Sequence, residues 1–580
     1  MLETFTTADS QTAAEPLLRW LTQASGDVGL HVAAPTAGWD YISYRDLAVQ
    51  VKVFAAGLQA QELHYGDVVT LMVSESEQFI VSFFGCLLAG VTPSTVMPRG
   101  LFRKADGYIS HVSGILNAAD PALVMAGEES HEYAQEAVKA SGLPSPVVTF
   151  TVVRETGAKG PPVRVPADRP PGGTALLQFT SGSSGDPKGV RVSWGALTAN
   201  VAAIRDWLGL TPQDRFAGWL PLFHDMGLIG QMLTSITNGV DTWILSPEQF
   251  IRNPGRWVEC FGKYGATITT SPSFGYSYAA RRVSPDDLAG YDFSRWRIAI
   301  LGAERIDPVG VNDFTRLAAP FGFDPHALVG AYGLAEATLA VTGVHPADGS
   351  PLVKVPSTVV APGSPVGARR DGLLGRDRGT GEHLVGCGRP LAGLEVHVLD
   401  DEGAEVPDGT LGEISISGTS LADGYVLGDR RTIDFDPAGH LTGDAGFLLD
   451  GELFVVGRIG DSIKVRGAMV FAEDLEAELE RVSGARHGQV AVLLGRSGGC
   501  DRAVVLIESS SPERWNDRIG TIISTVRART SPEFDCPVYA GRSGAIARTS
   551  SGKPRRRVLW RDYLAGDLTD WQLATQEGRS

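Results

Sequence analysis

The fourteen residues Leu177-Gln178-Phe179-Thr180-Ser181-Gly182-Ser183-Ser184-Gly185-Asp186-Pro187-Lys188-Gly189-Val190 decide how this chain is read. Residues 174–180, TALLQFT, which run into the start of this stretch, form an apolar run suited to a buried strand. At its far end comes Val190-Arg191-Val192, and then Ser193, well placed to cap a helix whose Leu197, Val201, Ile204 and Leu208 recur on one face. The glycine loop therefore lies at a strand end or between two strands, not at a helix start. Small residues let backbone N–H groups approach an anion closely, hydroxyls add donors and Lys188 adds charge, which together suit a polyphosphate. The pattern GxxxxGK[ST] is not met: Pro187 precedes Lys188 and Gly189 follows it, so no Ser or Thr is placed to hold Mg²⁺ as in a P-loop NTPase. Taken alone, such a run reads equally well as a flexible linker.

Composition narrows the classes around the loop. The chain has 580 residues, 43% hydrophobic and 20% charged, enough for several packed layers and too apolar for a disordered protein. Its 51 Lys and Arg against 67 Asp and Glu leave a net charge of −16, a field that repels nucleic acid and anionic lipid alike. The five cysteines are scattered, never as CxxC, and the N-terminus lacks a basic segment followed by an apolar core; both point to a cytoplasmic protein. The longest apolar run, 79–91, is too short for a bilayer and reads as a buried helix. The 70 Gly and 34 Pro follow no period and imply many tight turns. Segments 44–63 (helix) and 67–72 (strand) alternate as in layered α/β structure, whereas 473–481 is an acidic helix and 489–507 is strand-like.

Other motifs follow the loop in order. The stretch LQFTSGSSGDPKGV resembles the phosphate loop of the adenylate-forming superfamily of acyl-CoA synthetases, peptide-synthetase adenylation domains and luciferases. Gly302-Ala303-Glu304 resembles its adenine-contacting turn, Tyr332-Gly333-Leu334-Ala335-Glu336 its aromatic-Gly-x-x-Glu motif, and Thr442-Gly443-Asp444 its ribose motif. Gly457-Arg458-Ile459-Gly460-Asp461 is similar to its interdomain hinge, and Thr549-Ser550-Ser551-Gly552-Lys553 to the loop bearing its adenylation lysine. The wording of residues 219–230, WLPLFHDMGLIG, and 332–339, YGLAEATL, is closest to fatty acyl-AMP ligases.

The resemblance implies an α/β fold: a large N-terminal domain of layered α/β subdomains (1–457) binding ATP and acyl substrate, and a small mobile α+β C-terminal domain (458–580). It implies ATP and Mg²⁺, with Thr180, Ser181, Gly182, Ser183, Ser184, Gly185 and Lys188 around the phosphates. Gly302, Ala303, Glu304, Tyr332, Gly333 and Ala335 would surround the base, Asp444 and Arg458 the ribose, and Glu336 the metal. His224, Gly227, Ser273 and Phe274 would meet the acid, Asp461 would be the hinge, and Lys553, Glu336 and Thr180 would be catalytic. The expected reaction joins a carboxylic acid, fatty or bulky and cyclic, to AMP with loss of pyrophosphate, for an acyl carrier protein or CoA; the alternatives are an acyl-CoA ligase and a non-catalytic nucleotide-binding module. Two departures bear on the acceptor: Gly460 replaces the usual Lys, and the apolar 468–472, AMVFA, replaces a polar stretch. Residues 341–385 stand where acyl-AMP ligases carry an insertion that restrains the C-terminal domain. The basic stretch 553–557, KPRRR, is expected to offer a patch to an acidic carrier.

Overall fold

The computed structural model describes residues 15–97, 99, 105–166, 172–181, 187–356, 362–377, 383–465, 468–486, 488–497, 500–509, 515, 517–548 and 553–574. Two large sheets share one core. In the first, Thr174–Ser181, Thr92–Thr95, Val68–Met72, Leu123–Ala126 and Val147–Thr149 run parallel, and Pro187–Ser193, Gly424–Val426 and Thr432–Asp434 extend it antiparallel. In the second, Gly29–Ala33, Asp241–Ile244, Arg215–Gly218, Ile268–Ser271, Ile298–Leu301 and Leu328–Gly333 run parallel. Helices Tyr44–Gln59, Ser76–Ala89 and Trp194–Leu208 fill the space between: Phe54, Phe84 and Leu197 are buried with Leu71 and Val190 of the first sheet and Phe216 and Ile268 of the second. Helix Ser76–Ala89 is buried from Phe79 to Ala89, as the apolar run 79–91 suggests, and ends on Gly90 at φ 84°. The helix expected over 44–63 stops earlier, at Gln59.

The strands on either side of the glycine loop pair as a hairpin, with Thr180 opposite Lys188. A side chain at 189 would press on Val426 and Phe179 at under 3 Å, so the Gly after Lys188 is required by packing. Ser193 caps the next helix by accepting the Ala196 N–H, and Leu197, Val201, Ile204 and Leu208 are all buried.

After Glu452–Arg458 and the turn Ile459–Asp461, the chain builds a smaller α+β unit. Strands Val490–Ser497, Cys500–Glu508, Val538–Gly541 and Trp571–Leu573 form its sheet, against which Leu475 and Leu479 of helix Ala472–Ser483 and Ile522 and Val526 of helix Ile519–Arg529 pack. The strand-like 489–507 is thus two strands of one hairpin.

The passage 341–385 forms a small sheet of Arg369–Leu373, Pro351–Lys354 and His383–Val385. Its Val353, Val366 and Leu384 share a core with Met469 and Phe471 of the smaller unit. That contact accounts for the apolar wording of 468–472. Gly460 has a partner too: a Cβ there would sit 2.8 Å from the Arg557 guanidinium, so the missing side chain makes room for an arginine from elsewhere. No helix among the described residues is long and apolar enough to cross a membrane.

Candidate active site

A cavity of about 2050 Å³ opens where the hairpin, the C-terminal strand ends of the second sheet and the smaller unit meet. At one end stand Thr180 and Lys188. Ser181's side chain, Gly182, Ser183, Ser184 and Gly185 lie outside the described residues, as do residues 549–552 before Lys553. Strand Gly424–Val426 places Tyr425 beside Val190, with the Lys188 ammonium 5.1 Å from its ring centre. The Tyr425 hydroxyl donates to Oε1 of Glu336, which sits in the single turn Ala335–Ala337 with Ala335 buried. Burial, and then the Glu336 charge, push the Tyr425 phenol upward. His440 also lines this wall; burial lowers its pKa against the opposing pull of Glu336. Sequence reasoning missed Tyr425 and His440, whose only signal was a turn-rich stretch far from the loop they complete.

The middle of the cavity is built from strand ends. Ile298–Leu301 leads into Gly302-Ala303-Glu304, where Ala303 holds φ 67°, an unfavourable conformation for a side chain. Leu328–Gly333 brings up Tyr332, and Gly333 must be glycine because a Cβ would lie 2.0 Å from the Leu339 carbonyl oxygen. Asp444 and Arg458 face each other on paired strands. The Tyr332 hydroxyl donates to Asp444 Oδ2 at 2.8 Å and Arg458 Nε forms an ion pair with Oδ1 at 2.9 Å, so one carboxylate orients an aromatic face and a cation.

At the third end, His224 Nδ1 lies 2.6 Å from Asp225 Oδ1. Burial disfavours the charged imidazole, but Asp225 more than offsets it and the His224 pKa is raised. Asp225 also accepts the Met226 N–H at the head of a π-helix, Met226–Leu233, a widened helix of the kind found at functional sites. Phe274 lines the cavity, and its N–H donates to Glu304 at 3.1 Å. Ser273 and Gly227 lie behind the wall. The Ser273 hydroxyl accepts the Asp307 N–H, and Gly227 packs so closely that a Cβ would be 2.3 Å from the Pro221 carbonyl oxygen.

Lys553 enters this space from the smaller unit. It is open to the cavity, yet the protein around it lowers its pKa, Arg458 lowers it further, and Asp444, Glu304 and Glu473 act in the opposite direction. Its charge is felt in turn by His224 and Asp225. In the rest of the basic stretch Arg555 and Arg556 are partly covered, whereas Arg557 is exposed. Arg555 acts on His111 of helix Ala105–Ala119, whose pKa falls to about 4 through burial and that charge. Arg556 is only 9% exposed. Between the units, Arg305 pairs with Asp474 and Lys464 lies 3.5 Å from Asp401.

Residues 22–426 match the family described as AMP-binding enzyme. A medium-chain-fatty-acid–[acyl-carrier-protein] ligase of Moorena producens is 29% identical over 560 residues, 92% of this chain and 91% of its own. A 4-hydroxyphenylalkanoate adenylyltransferase of Mycobacterium tuberculosis is 30% identical over 527 residues, 86% of this chain and 82% of its own. Among solved structures, one from a study of fatty acyl-adenylate ligases from E. coli and L. pneumophila superposes with a TM-score of 0.82 at 28% identity, covering 96% of this chain and 98% of that one.

Proposed function

The chain belongs to the AMP-binding enzymes and is an ATP-dependent ligase, and from that membership we propose that it joins a carboxylic acid to the α-phosphate of ATP with loss of pyrophosphate, and that the acyl group then passes to a carrier protein with release of AMP. The observation that carries the reading is the position of Lys553, brought from the smaller unit into the cavity that Asp444, Arg458, His224 and Glu304 share. The acid's oxygen bonds to the α-phosphorus as the bond to pyrophosphate breaks, so the nucleophile belongs to the substrate and no enzyme group need become covalently attached. The protein's task is to bring two anions together and to neutralise the charge that develops between them.

In this reading Thr180, Lys188 and the glycine loop take the outer phosphates. Asp444 accepts the ribose hydroxyls, Arg458 steadies it, and the Tyr332 ring and the 302–304 turn flank the base. Lys553 bridges carboxylate and α-phosphate. Its lowered pKa suits a cation that must reach the site without a heavy shell of water. Glu336 is a single carboxylate beside the phosphate end, a donor set that fits Mg²⁺, which takes one or two carboxylates and completes its shell from phosphate oxygens and water. When bound, Mg²⁺ would neutralise charge on the outgoing pyrophosphate; Tyr425 holds the carboxylate that meets it. His224, its ring fixed by Asp225, gates the acyl end beside Phe274.

The acceptor follows from the second core. Thioester formation in such enzymes turns the smaller unit about Asp461, and the packing of Met469 and Phe471 on Val353, Val366 and Leu384 opposes that turn. A penalty of about 2.7 kcal/mol would cut the turned population about a hundredfold. A poor CoA ligase is therefore the expected product of this arrangement. The test is pyrophosphate release across a panel of straight-chain and aryl acids, with and without CoA. Release without acyl-CoA supports the reading, efficient thioester formation moves the chain to the acyl-CoA ligases, and no release with any acid refutes it.

A further inference from the structure

Just beyond Lys553, a cluster of charged side chains joins the hinge turn, the acidic helix and the basic stretch. Lys553 is three residues from Arg556, the first residue of helix Arg556–Ala565. The Arg556 guanidinium touches three carboxylates. Nη1 donates to Asp461 Oδ2 at 2.8 Å and to Glu473 Oε1 at 3.0 Å, while Nη2 and Nε grip Glu476 at 2.8 and 3.1 Å. Glu476 is itself tied to the sheet by the Val492 N–H at 2.8 Å. Only a planar fork of donors can serve three acceptors this way; an ammonium offers no matched pair.

The three partners come from different places. Glu473 and Glu476 lie on helix Ala472–Ser483 within the smaller unit, but Asp461 belongs to the connecting turn. Three carboxylates around one cation leave excess negative charge, and Glu473 responds: burial, against the pull of Arg556, pushes its pKa up to about 7. Arg556 is the cation common to all three carboxylates, and turning the chain at Asp461 would pull one of them out of the arrangement.

We propose that Arg556 is a positioning residue for adenylation: by binding the connecting turn and the adjacent helix at once, it fixes the segment that delivers Lys553 to the cavity. This rests on the role given to Lys553 above. A purely structural arginine would need only Glu473 and Glu476; the Asp461 contact couples it to the position of the whole unit.

The experiment compares Arg556→Lys, Arg556→Gln and Asp461→Asn with the wild type in pyrophosphate release with dodecanoate and 3-(4-hydroxyphenyl)propanoate, and in a distance measurement needing no turnover. For the latter, nitroxides are placed on Val309→Cys and Leu564→Cys, exposed positions on the two units, in a Cys500→Ser background. The kcat for pyrophosphate release is expected to fall about a hundredfold in both Arg556 variants, the cost of misplacing a reacting group by an ångström or so. KM for ATP should change less than about threefold, because the ATP contacts lie elsewhere. The alkaline limb of the pH profile should move upward as Lys553 leaves Arg458, Asp444, Glu304, Glu473, His224 and Asp225 and regains its ordinary pKa. The single nitroxide distance should broaden. Asp461→Asn, which leaves the pairs with Glu473 and Glu476 intact, should broaden it too. An Arg556→Lys protein with wild-type kcat, or variants whose distance distribution and alkaline limb do not move, would overturn the proposal. The distance result stands even if neither acid is a substrate, so failure of the functional reading would show separately.

Discussion

Met469→Ala tests the apolar contact between the two units. Met469 is 8% exposed and packs among Val353, Val366, Leu384, Phe447 and Phe454, so its side chain is sealed only while the smaller unit keeps its present position. Burying a methionine side chain is worth about 1.5–3 kcal/mol. If the turned position returns that surface to water, the variant removes about 2 kcal/mol of the difference between the two positions, a shift of about 30-fold in their ratio. The measured quantity is acyl-CoA formed per acyl-AMP at saturating CoA, with thermal unfolding followed in parallel. The ratio is expected to rise by an order of magnitude while pyrophosphate release stays within about twofold. A folded Met469→Ala protein with an unchanged ratio would refute the reasoning, because the contact would then be indifferent to the position of the unit.

Lys553→Ala should lower pyrophosphate release by at least a thousandfold, several kcal/mol in a transition state built on charge, while ATP binding measured by calorimetry is kept. Glu336→Gln should raise the Mg²⁺ concentration needed for half-maximal activity about tenfold or more, and unchanged Mg²⁺ dependence would reassign the carboxylate as structural. Tyr425→Phe should give a smaller loss of the same kind, roughly 1 kcal/mol, since it removes one hydrogen bond to that carboxylate. Glu473 has a folded pKa near 7, above its unfolded value of about 4.3, so the folded state holds its proton longer. Its contribution is complete below about pH 4.3 and is lost as the pH rises toward 7; Glu473→Gln should flatten the fall in unfolding free energy across that window, read from denaturant melts at pH 5, 6, 7 and 8.

Legibility varied with how local the cause was. Residues 174–181 and 187–208 could be read nearly to the residue because strand, cap and amphipathic helix are each written within a few positions. The buried stretch 79–89 of helix Ser76–Ala89 was visible for the opposite reason, having almost no polar residues. Residues whose position comes from distant strand pairing were not legible: Tyr425 reaches Lys188 only because Gly424–Val426 adds to the hairpin's sheet. Ser273 and Gly227 lie within recognisable stretches, but one-dimensional reading cannot tell which side of a turn faces the cavity. The charged run 553–557 was the least transparent. A solvated arginine and one held in partly buried ion pairs have the same spelling, and only the acidic helix brought against Arg556 distinguishes them.

The strand carrying Tyr425 has a consequence for the order in which the protein is made. Arg191 and Asp423, which meet beside the hairpin, are 232 positions apart. A ribosome must therefore finish most of the polypeptide before the first sheet can gain its last strands. Closing so long a loop is entropically costly but only logarithmically dependent on length, so it slows assembly more than it weakens the product. A nascent chain that has emerged only to residue 400 carries the complete glycine loop without Tyr425 to line its lysine or hold Glu336. The nucleotide site is thus a late acquisition during synthesis, and fragments ending before residue 424 should bind ATP weakly even where their earlier strands have folded.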